Sequence, residues 1–413
     1  MKQRCVNLDW VEVYCLESGK NFPHDADYFR ECGYFVRERE YGTRQYNQMF
    51  TILDENDLGF IEVRRDPVSS SLANKNTGIF SPYSCHIRLC NRYCYHEQAI
   101  FLLSDFLLKH GYEVQRIFRL DIALDFEKFD KGDDPHEFLR RYMSGRYTKI
   151  NQGNISAHGK DRWECRDWNS VSWGAPTSMV STKFYCKSLE LREAKDKPYI
   201  RYAWQKAGLI DDFNAMTKNR ADGTTYQPDI WRVEFSIRSS ARGWYVVEDA
   251  NGNKVKTLQR EHTLGTYNNK HDILIAFASL AHCYFHFKKY KEGVRKDRCE
   301  DKILFDFGEN HVAYKLDRLM SDAPKDKSID ALLKRLIDYR ATHPQENVCK
   351  ACDVLIQQLQ REGIRSSMPN PYDRNEELLL QQLISMRIQN PELPLNESYE
   401  ILQTILNFKN EIF

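Results

Sequence analysis

An α+β fold, with antiparallel or mixed sheets carrying helices on one face and a helical module at the C-terminal end, is what this sequence predicts. Three observations carry that expectation. Alternating, aromatic-rich segments recur through the first 265 residues, and a period of two puts successive side chains on opposite faces of a strand. Segments with helical apolar spacing separate them. Beyond residue 265 the helical pattern stands alone. Strand-rich pieces broken by helices suit sheets backed by helices.

Taken in order, residues 6–14, 48–53, 59–65 and 86–89 read as strands, and 97–110 as a helix that Gly111 stops. A second unit of similar design follows, with strands at 115–126, 178–189 and 229–237 and helices at 135–142 and 198–207. Helices are then expected at 273–290, 330–342, 345–361, 375–387 and 397–409, with a proline-containing linker at 366–373. The chain thus divides into an N-terminal α+β half (1–115), a second α+β half with the candidate site (116–265), a helical extension (266–310) and a C-terminal helical module (311–413). The two halves allow a structural duplication, although no fixed-period repeat is present.

Composition narrows the function classes. The chain has 413 residues, 41% of them apolar and 29% charged, ordinary for a globular protein. Its formal net charge is only +1, so no global basic field points to nucleic acid and any such contact must be local. One local cluster is Lys288, Lys289, Lys291, Arg295, Lys296, Arg298 and Lys302, which reads equally as a solvated helix face. Aromatics reach 13%, which permits base stacking without requiring it. Twelve cysteines lack a secreted-framework rhythm, and neither a signal peptide nor a bilayer-spanning run is evident; a cytoplasmic protein with no membrane partner is expected. The pair Cys349 and Cys352 has no second pair to complete a zinc site. No phosphate-binding Gly-rich loop announces an ATPase.

Three strands carry the chemistry. In residues 119–125, Leu120, Ile122 and Leu124 share one face, while Arg119, Asp121, Ala123 and Asp125 share the other. In 231–238, Trp231, Val233, Phe235 and Ile237 oppose Arg232, Glu234, Ser236 and Arg238. In 183–187, Lys183, Tyr185 and Lys187 oppose Phe184 and Cys186. A buried ion-pair ladder is the structural alternative, but burying charge without function is costly. If the strands are neighbours, one surface gathers carboxylates, cations and a phenol. That set suits phosphodiester transesterification. Carboxylates hold a hard cation such as Mg2+ or Mn2+, Lys183, Lys187 and Arg232 stabilise phosphoryl charge, and Tyr185 attacks phosphorus to form a phosphotyrosine. Asp121 and Asp125 lie about 13 Å apart at ~3.3 Å per residue, too far to share one ion easily. Asp121 and Glu234 are therefore the preferred ligands, with Asp125 a further candidate.

At these strands the sequence resembles the Rep_trans family of rolling-circle replication initiators and the related nickases of integrative elements. The family's Arg-Leu-Asp-x-Ala-x-Asp-Phe pattern matches residues 119–126, its Trp-Arg-Val-Glu strand matches 231–234, and its aromatic-Gly pair, twelve residues before the nucleophile, matches Trp173-Gly174 ahead of Tyr185. Lys187 and Glu190 approximate the segment after the tyrosine. Agreement in order and spacing runs from about residue 85 to 240. The family's Gly-Ser-Arg-x-Ser segment is here Gly174-Ala-Pro-Thr-Ser178, with Ser178 alone in place. The resemblance implies nicking and rejoining of single-stranded or melted origin DNA through a 5′-phosphotyrosine, with a divalent metal, a homodimer and a host helicase. It also implies DNA contacts from Arg119, Trp173, Ser178 and Arg238. Tyr199 and Tyr202 are rival nucleophiles without the lysine-flanked alternation. A non-catalytic DNA-binding regulator on the same scaffold is the alternative of a different class, and gathered acids argue against it because a mere binder would not set carboxylates against phosphate.

Overall fold

The computed structural model describes residues 3–17, 24–69, 81–150, 153–161, 166–175, 177–194, 196–248, 254–295, 298–307 and 314–317. The expected linker and the four helices after residue 330 lie outside the described residues, as does the C-terminal module apart from 314–317.

The strands are β1 (Arg4–Glu17), β2 (Val36–Glu38), β3 (Tyr46–Leu53), β4 (Gly59–Pro67), β5 (Ser84–Leu89), β6 (Tyr112–Phe126), β7 (Tyr147–Lys149), β8 (Ile155–Asp161), β9 (Arg166–Trp173), β10 (Val180–Cys186), β11 (Lys218–Asn219), β12 (Thr225–Tyr226), β13 (Trp231–Arg238), β14 (Gly243–Glu248), β15 (Lys254–Glu261), β16 (Phe287–Lys289), β17 (Asp301–Lys302) and β18 (Tyr314–Asp317). The described helices are α1 (Ala26–Glu31), α2 (Asn91–Cys94), α3 (Ala99–Lys109), α4 (Pro135–Met143), α5 (Lys187–Glu193), α6 (Pro198–Lys206) and α7 (Lys270–Tyr284).

Ten strands form one sheet in the order β2-β3-β4-β5-β1-β6-β13-β10-β9-β8, and the described ladders between neighbours are antiparallel. β6 pairs with β1 on one side and β13 on the other, so the sheet runs unbroken across residues 115 and 116. Two three-stranded sheets, β15-β14-β18 and β17-β16-β7, and a two-stranded sheet, β11-β12, complete the described strands.

One face of the large sheet is apolar, because alternation in β1, β6, β10 and β13 sends Val11, Leu120, Ile122, Phe184, Val233 and Phe235 to one side, all fully buried. Helices α1, α3, α4 and α7 contribute to that same core: Phe29 stacks on Phe106, Phe138 meets Phe184 and Phe277 meets Phe235. The expectation of helices on one face needs correction. A second apolar cluster of Cys5, Leu191, Ile200, Trp204, Leu209, Ile210 and Ile230 seats α5 and α6, and the Trp204 indole N–H reaches Asp125, on the polar side of β6. An apolar strip on α6 must be covered, and the sheet's second face covers it.

Two elements end earlier than the sequence predicts. The helix expected over 273–290 stops at Tyr284, and Phe285 and Phe287 are both buried in a strand-like i, i+2 spacing that a helix would send to different sides. The strand expected over 178–189 ends at Cys186, and Lys187 begins α5.

Candidate functional site

Register brings the chosen residues into rows across the polar face. Tyr185 lies opposite Arg232, which lies opposite Asp125; Lys183 lies opposite Glu234; Ser236 lies opposite Asp121. Because side chains of neighbouring strands on one face stand about 5 Å apart, Tyr185 and the β13 side chains can touch. The Tyr185 hydroxyl donates to Glu234 Oε2 at 3.0 Å. Lys187 Nζ donates to the same hydroxyl at 3.4 Å, although it stands on α5 and not on the strand. Lys183 Nζ lies 3.6 Å from Glu234 Oε1. These groups line a cleft of about 590 Å³ together with Asp9, Trp10, Arg119, Asp121, Glu190 and Lys197.

Asp9 was not evident from the sequence. Regular alternation along β1 would set it beside Val11 and Val13 on the apolar face. A bulge between Leu8 and Trp10 shifts the register against β6 by one residue, and such a bulge re-aims a side chain. Asp9 then accepts from the Tyr95 hydroxyl at 2.6 Å and pairs with Arg232 at 3.1 Å. Burial pushes its pKa up, but the Arg232 and Lys187 charges and the Tyr95 bond outweigh that and hold it at about 2. Glu190 was missed as an active partner too: it accepts from Lys187 at 2.9 and 3.0 Å and from Lys197 at 3.3 Å.

Protonation follows from these neighbours. Burial, reinforced by the charges of Asp9 and Asp121, raises the Glu234 carboxyl above the ordinary glutamate range. Burial and the adjacent Glu234 push the Tyr185 phenol well up. Burial and the Arg232 charge lower the Lys187 ammonium. The phenol therefore carries its proton at rest and already offers it to Glu234.

Several expected site residues lie elsewhere. Asp125 is fully buried beneath the cleft, with Arg232 Nε at 2.6 Å from one oxygen, and Arg232 Nη2 and Trp204 Nε1 each at 2.7 Å from the other. Arg232 is also fully buried and donates to Tyr95 at 2.8 Å. Neither lines the cleft, so Asp125 is not available as a metal ligand nor Arg232 as a direct phosphate contact, because their charges satisfy each other. Trp173 is a core residue, donating to the Tyr142 hydroxyl at 2.9 Å and packing on Phe285 and Phe287. Gly174 has φ +90° and lies where a Cβ would come within 3.2 Å of the Val180 carbonyl oxygen. The Trp-Gly pair thus shapes the turn before β10. Ser178 accepts from the Ala175 amide at 3.0 Å and closes that turn. Arg119 chelates Asp121, with Nε 3.0 Å from Oδ1 and a second contact from Nη2 to Oδ2. Arg238 lies directly opposite Arg119. Tyr199 packs on Tyr95, Tyr202 is exposed on α6, and neither lines the cleft.

The expected metal ligands fail a test of fit. Asp125 is consumed by Arg232 and Trp204, Asp121 by Arg119, and Glu234 accepts from Tyr185. Among the described residues no three His, Cys, Asp or Glu side chains are grouped so as to hold a metal ion. Among them, too, no helix is long and apolar enough to cross a membrane.

No protein-family model matches the chain, and no curated protein matches it. The resemblance therefore rests on the motifs. Among solved structures the chain is similar to a rolling circle replication initiator protein from Geobacillus stearothermophilus, with 13% identity and a TM-score of 0.39 over 72% of this chain and 92% of that one.

Proposed function

We propose that the protein nicks and rejoins DNA through Tyr185, as an initiator or relaxase of a plasmid-like element. The observation that carries the reading is the Tyr185 hydroxyl held between a proton acceptor, Glu234, and a cation, Lys187, in an open cleft. A nucleophile with an adjacent base is the arrangement that activates a hydroxyl.

In the forward step the Tyr185 oxygen attacks a phosphodiester phosphorus. An Oη–P bond forms, the P–O3′ bond breaks, and the phenolic proton passes to Glu234. The 3′ oxygen leaves and takes a proton from water in the open cleft, giving the free 3′ hydroxyl. In the reverse attack that hydroxyl returns its proton to water and expels the phenolate, which recovers its own proton from Glu234. The phosphoester is conserved through both steps, so rejoining needs no nucleotide triphosphate. Lys187 and Lys183 sit where phosphoryl charge develops and stabilise it there. Arg232 and Asp125 act from below by fixing β13 against β6. No step uses a resident divalent ion, because the expected ligand set is already engaged.

The test is incubation with labelled single-stranded DNA carrying the element's origin, with and without Mg2+ or Mn2+, followed by denaturing electrophoresis. A denaturant-resistant adduct that Tyr185→Phe abolishes supports the reading. An adduct that survives Tyr185→Phe assigns the chemistry to another tyrosine, and absence of any adduct favours the DNA-binding regulator.

A further inference from the structure

Two rows of side chains cross the polar face of the sheet through β10. One runs His158, Ser170, Tyr185, Arg232, Asp125, and the next runs Ser156, Ser172, Lys183, Glu234, Ala123. The rows differ in kind on either side of β10. Towards β13 and β6 they carry an arginine and two carboxylates. Towards β9 and β8 they carry three serines and a histidine. The same division runs round the cleft. Its lining carboxylates, Asp9, Asp121, Glu190, Glu193 and Glu234, come from β1, β6, α5 and β13. Among the described residues, β8 and β9 contribute His158, Asn169, Ser170, Val171 and Ser172 to the lining, and none of these is acidic.

A phosphodiester chain is repelled by carboxylates, so the wall without them is the side along which a single strand can run from Tyr185. Lys183, with its side chain half exposed, stands at the start of that wall. Beyond it the side chains are neutral, yet a hydroxyl or an imidazole can both donate and accept a hydrogen bond. Base edges require that capacity. Ser170 and Ser172 are half-buried in the cleft and His158 is exposed. Their existing bonds are long: the Ser172 hydroxyl donates to the Ser156 carbonyl at 3.4 Å, and Ser156 Oγ lies 3.4 Å from His158 Nε2. Bonds at that distance are weak, so exchanging them for bonds to a base costs little. In a duplex the bases are stacked and paired, whereas a single strand can splay them out to be read.

We infer that β9 and β8 form a base-reading wall, in which Ser170, Ser172 and His158 hydrogen-bond the edges of single-stranded bases next to the scissile phosphate. The inference rests on the nicking reading for the position of that phosphate at Tyr185. Neighbouring strands stand about 4.8 Å apart, so β8 lies roughly 10 Å from β10. At about 3.4 Å per stacked nucleotide, the wall spans roughly three bases on one side of the nick. Sequence choice then comes from the neutral side chains of two strands, while the charged groups on β10 and α5 handle phosphate.

The experiment uses the full chain carrying Tyr185→Phe, so that binding is read without cleavage, and the same chain with Ser170→Ala, Ser172→Ala and His158→Ala added. Each is mixed with a pool of single-stranded oligonucleotides randomised along their length. The retained oligonucleotides are sequenced, and affinity for the whole pool is followed between about 50 and 200 mM salt. The expected result is a base preference at about three adjacent positions, on the order of tenfold at each, that the added alanines remove. The salt slope stays the same, because no phosphate contact has been lost. His158→Gln alone, an exposed substitution, keeps the test open should the alanines weaken the sheet, and it should change the preference at the outermost position only. No positional preference in either protein, or the same preference in both, overturns the wall. A shallower salt slope in the alanine protein assigns these residues to phosphate and overturns base reading as well. Wild type separates this from the chemistry. A serine-dependent preference without any adduct on the selected sequences sinks the nicking and leaves the wall standing, whereas an adduct formed equally on all sequences sinks the wall alone.

Discussion

The Tyr185 hydroxyl donates its hydrogen bond to a glutamate, Glu234, whose own carboxyl is raised by burial and by two neighbouring aspartates. A base of raised pKa adjacent to a phenol is a proton acceptor with useful driving force. Glu234→Gln is expected to lower the rate of adduct formation by about 10²–10⁴-fold, with DNA affinity retained. In the wild type, the acid limb of the rate profile should fall above the ordinary glutamate range, because the rate needs Glu234 deprotonated. Single-turnover rates across pH check both, and a rate in Glu234→Gln equal to wild type would remove Glu234 from the chemistry.

Asp125→Ala strands a fully buried guanidinium. Breaking a buried pair by removing one partner costs about 3–5 kcal/mol, and the remaining contact of Arg232 with Asp9 puts the expected loss at the lower end. Urea unfolding measures it. A loss below 1 kcal/mol would mean that the pair is not a structural element of the sheet.

Asp9 makes stability depend on pH in the acid range. Its folded pKa, about 2, lies below the ordinary value of 3.8, so its contribution is present above pH 3.8 and is lost as pH falls from there towards 2. At about 1.4 kcal/mol per unit, this is worth roughly 2.5 kcal/mol. Wild type and Asp9→Asn should therefore differ most at neutral pH and converge in acid. Parallel stability curves would exclude Asp9 as the source.

Much of this site was legible in the strands. Alternation in 119–125 and 231–238 gave the polar and apolar faces, and Lys183 and Tyr185 fell where alternation sent them. Asp9 was hidden because a bulge changes phase without leaving a mark in the residue types. The fate of Asp125 was hidden because its captor, Trp204, lies 79 residues away on another element, a contact that no local pattern encodes. Lys187 was placed on a strand, yet α5 returns its ammonium to the same phenol.

Trp173, to which the resemblance assigns a DNA contact, is expected to act on stability. Trp173→Ala should cost about 3–5 kcal/mol as a large core truncation, while DNA affinity per folded molecule stays near wild type. Chemical unfolding and a binding titration on the same preparation separate the two effects. A stable variant with weakened DNA binding would restore the nucleic-acid role.

Asp121, an expected metal ligand, is held by Arg119, and a single substitution can release it. Arg119→Ala frees its carboxylate, and Mn2+ affinity of the protein, followed by electron paramagnetic resonance, should rise over wild type. Equal affinity in both would show that Arg119 does not limit cation binding there.

The extra residue between Leu8 and Trp10 gives this stretch of β1 a sensitivity that point substitutions do not reveal. Removing Leu8 would restore the plain pleat, set the acid at position 9 opposite Ile122 on the apolar face and leave Arg232 short of a counter-charge. Chain length is constrained at this edge of the cleft as well as residue identity, and a deletion scan would report the first where an alanine scan reports the second.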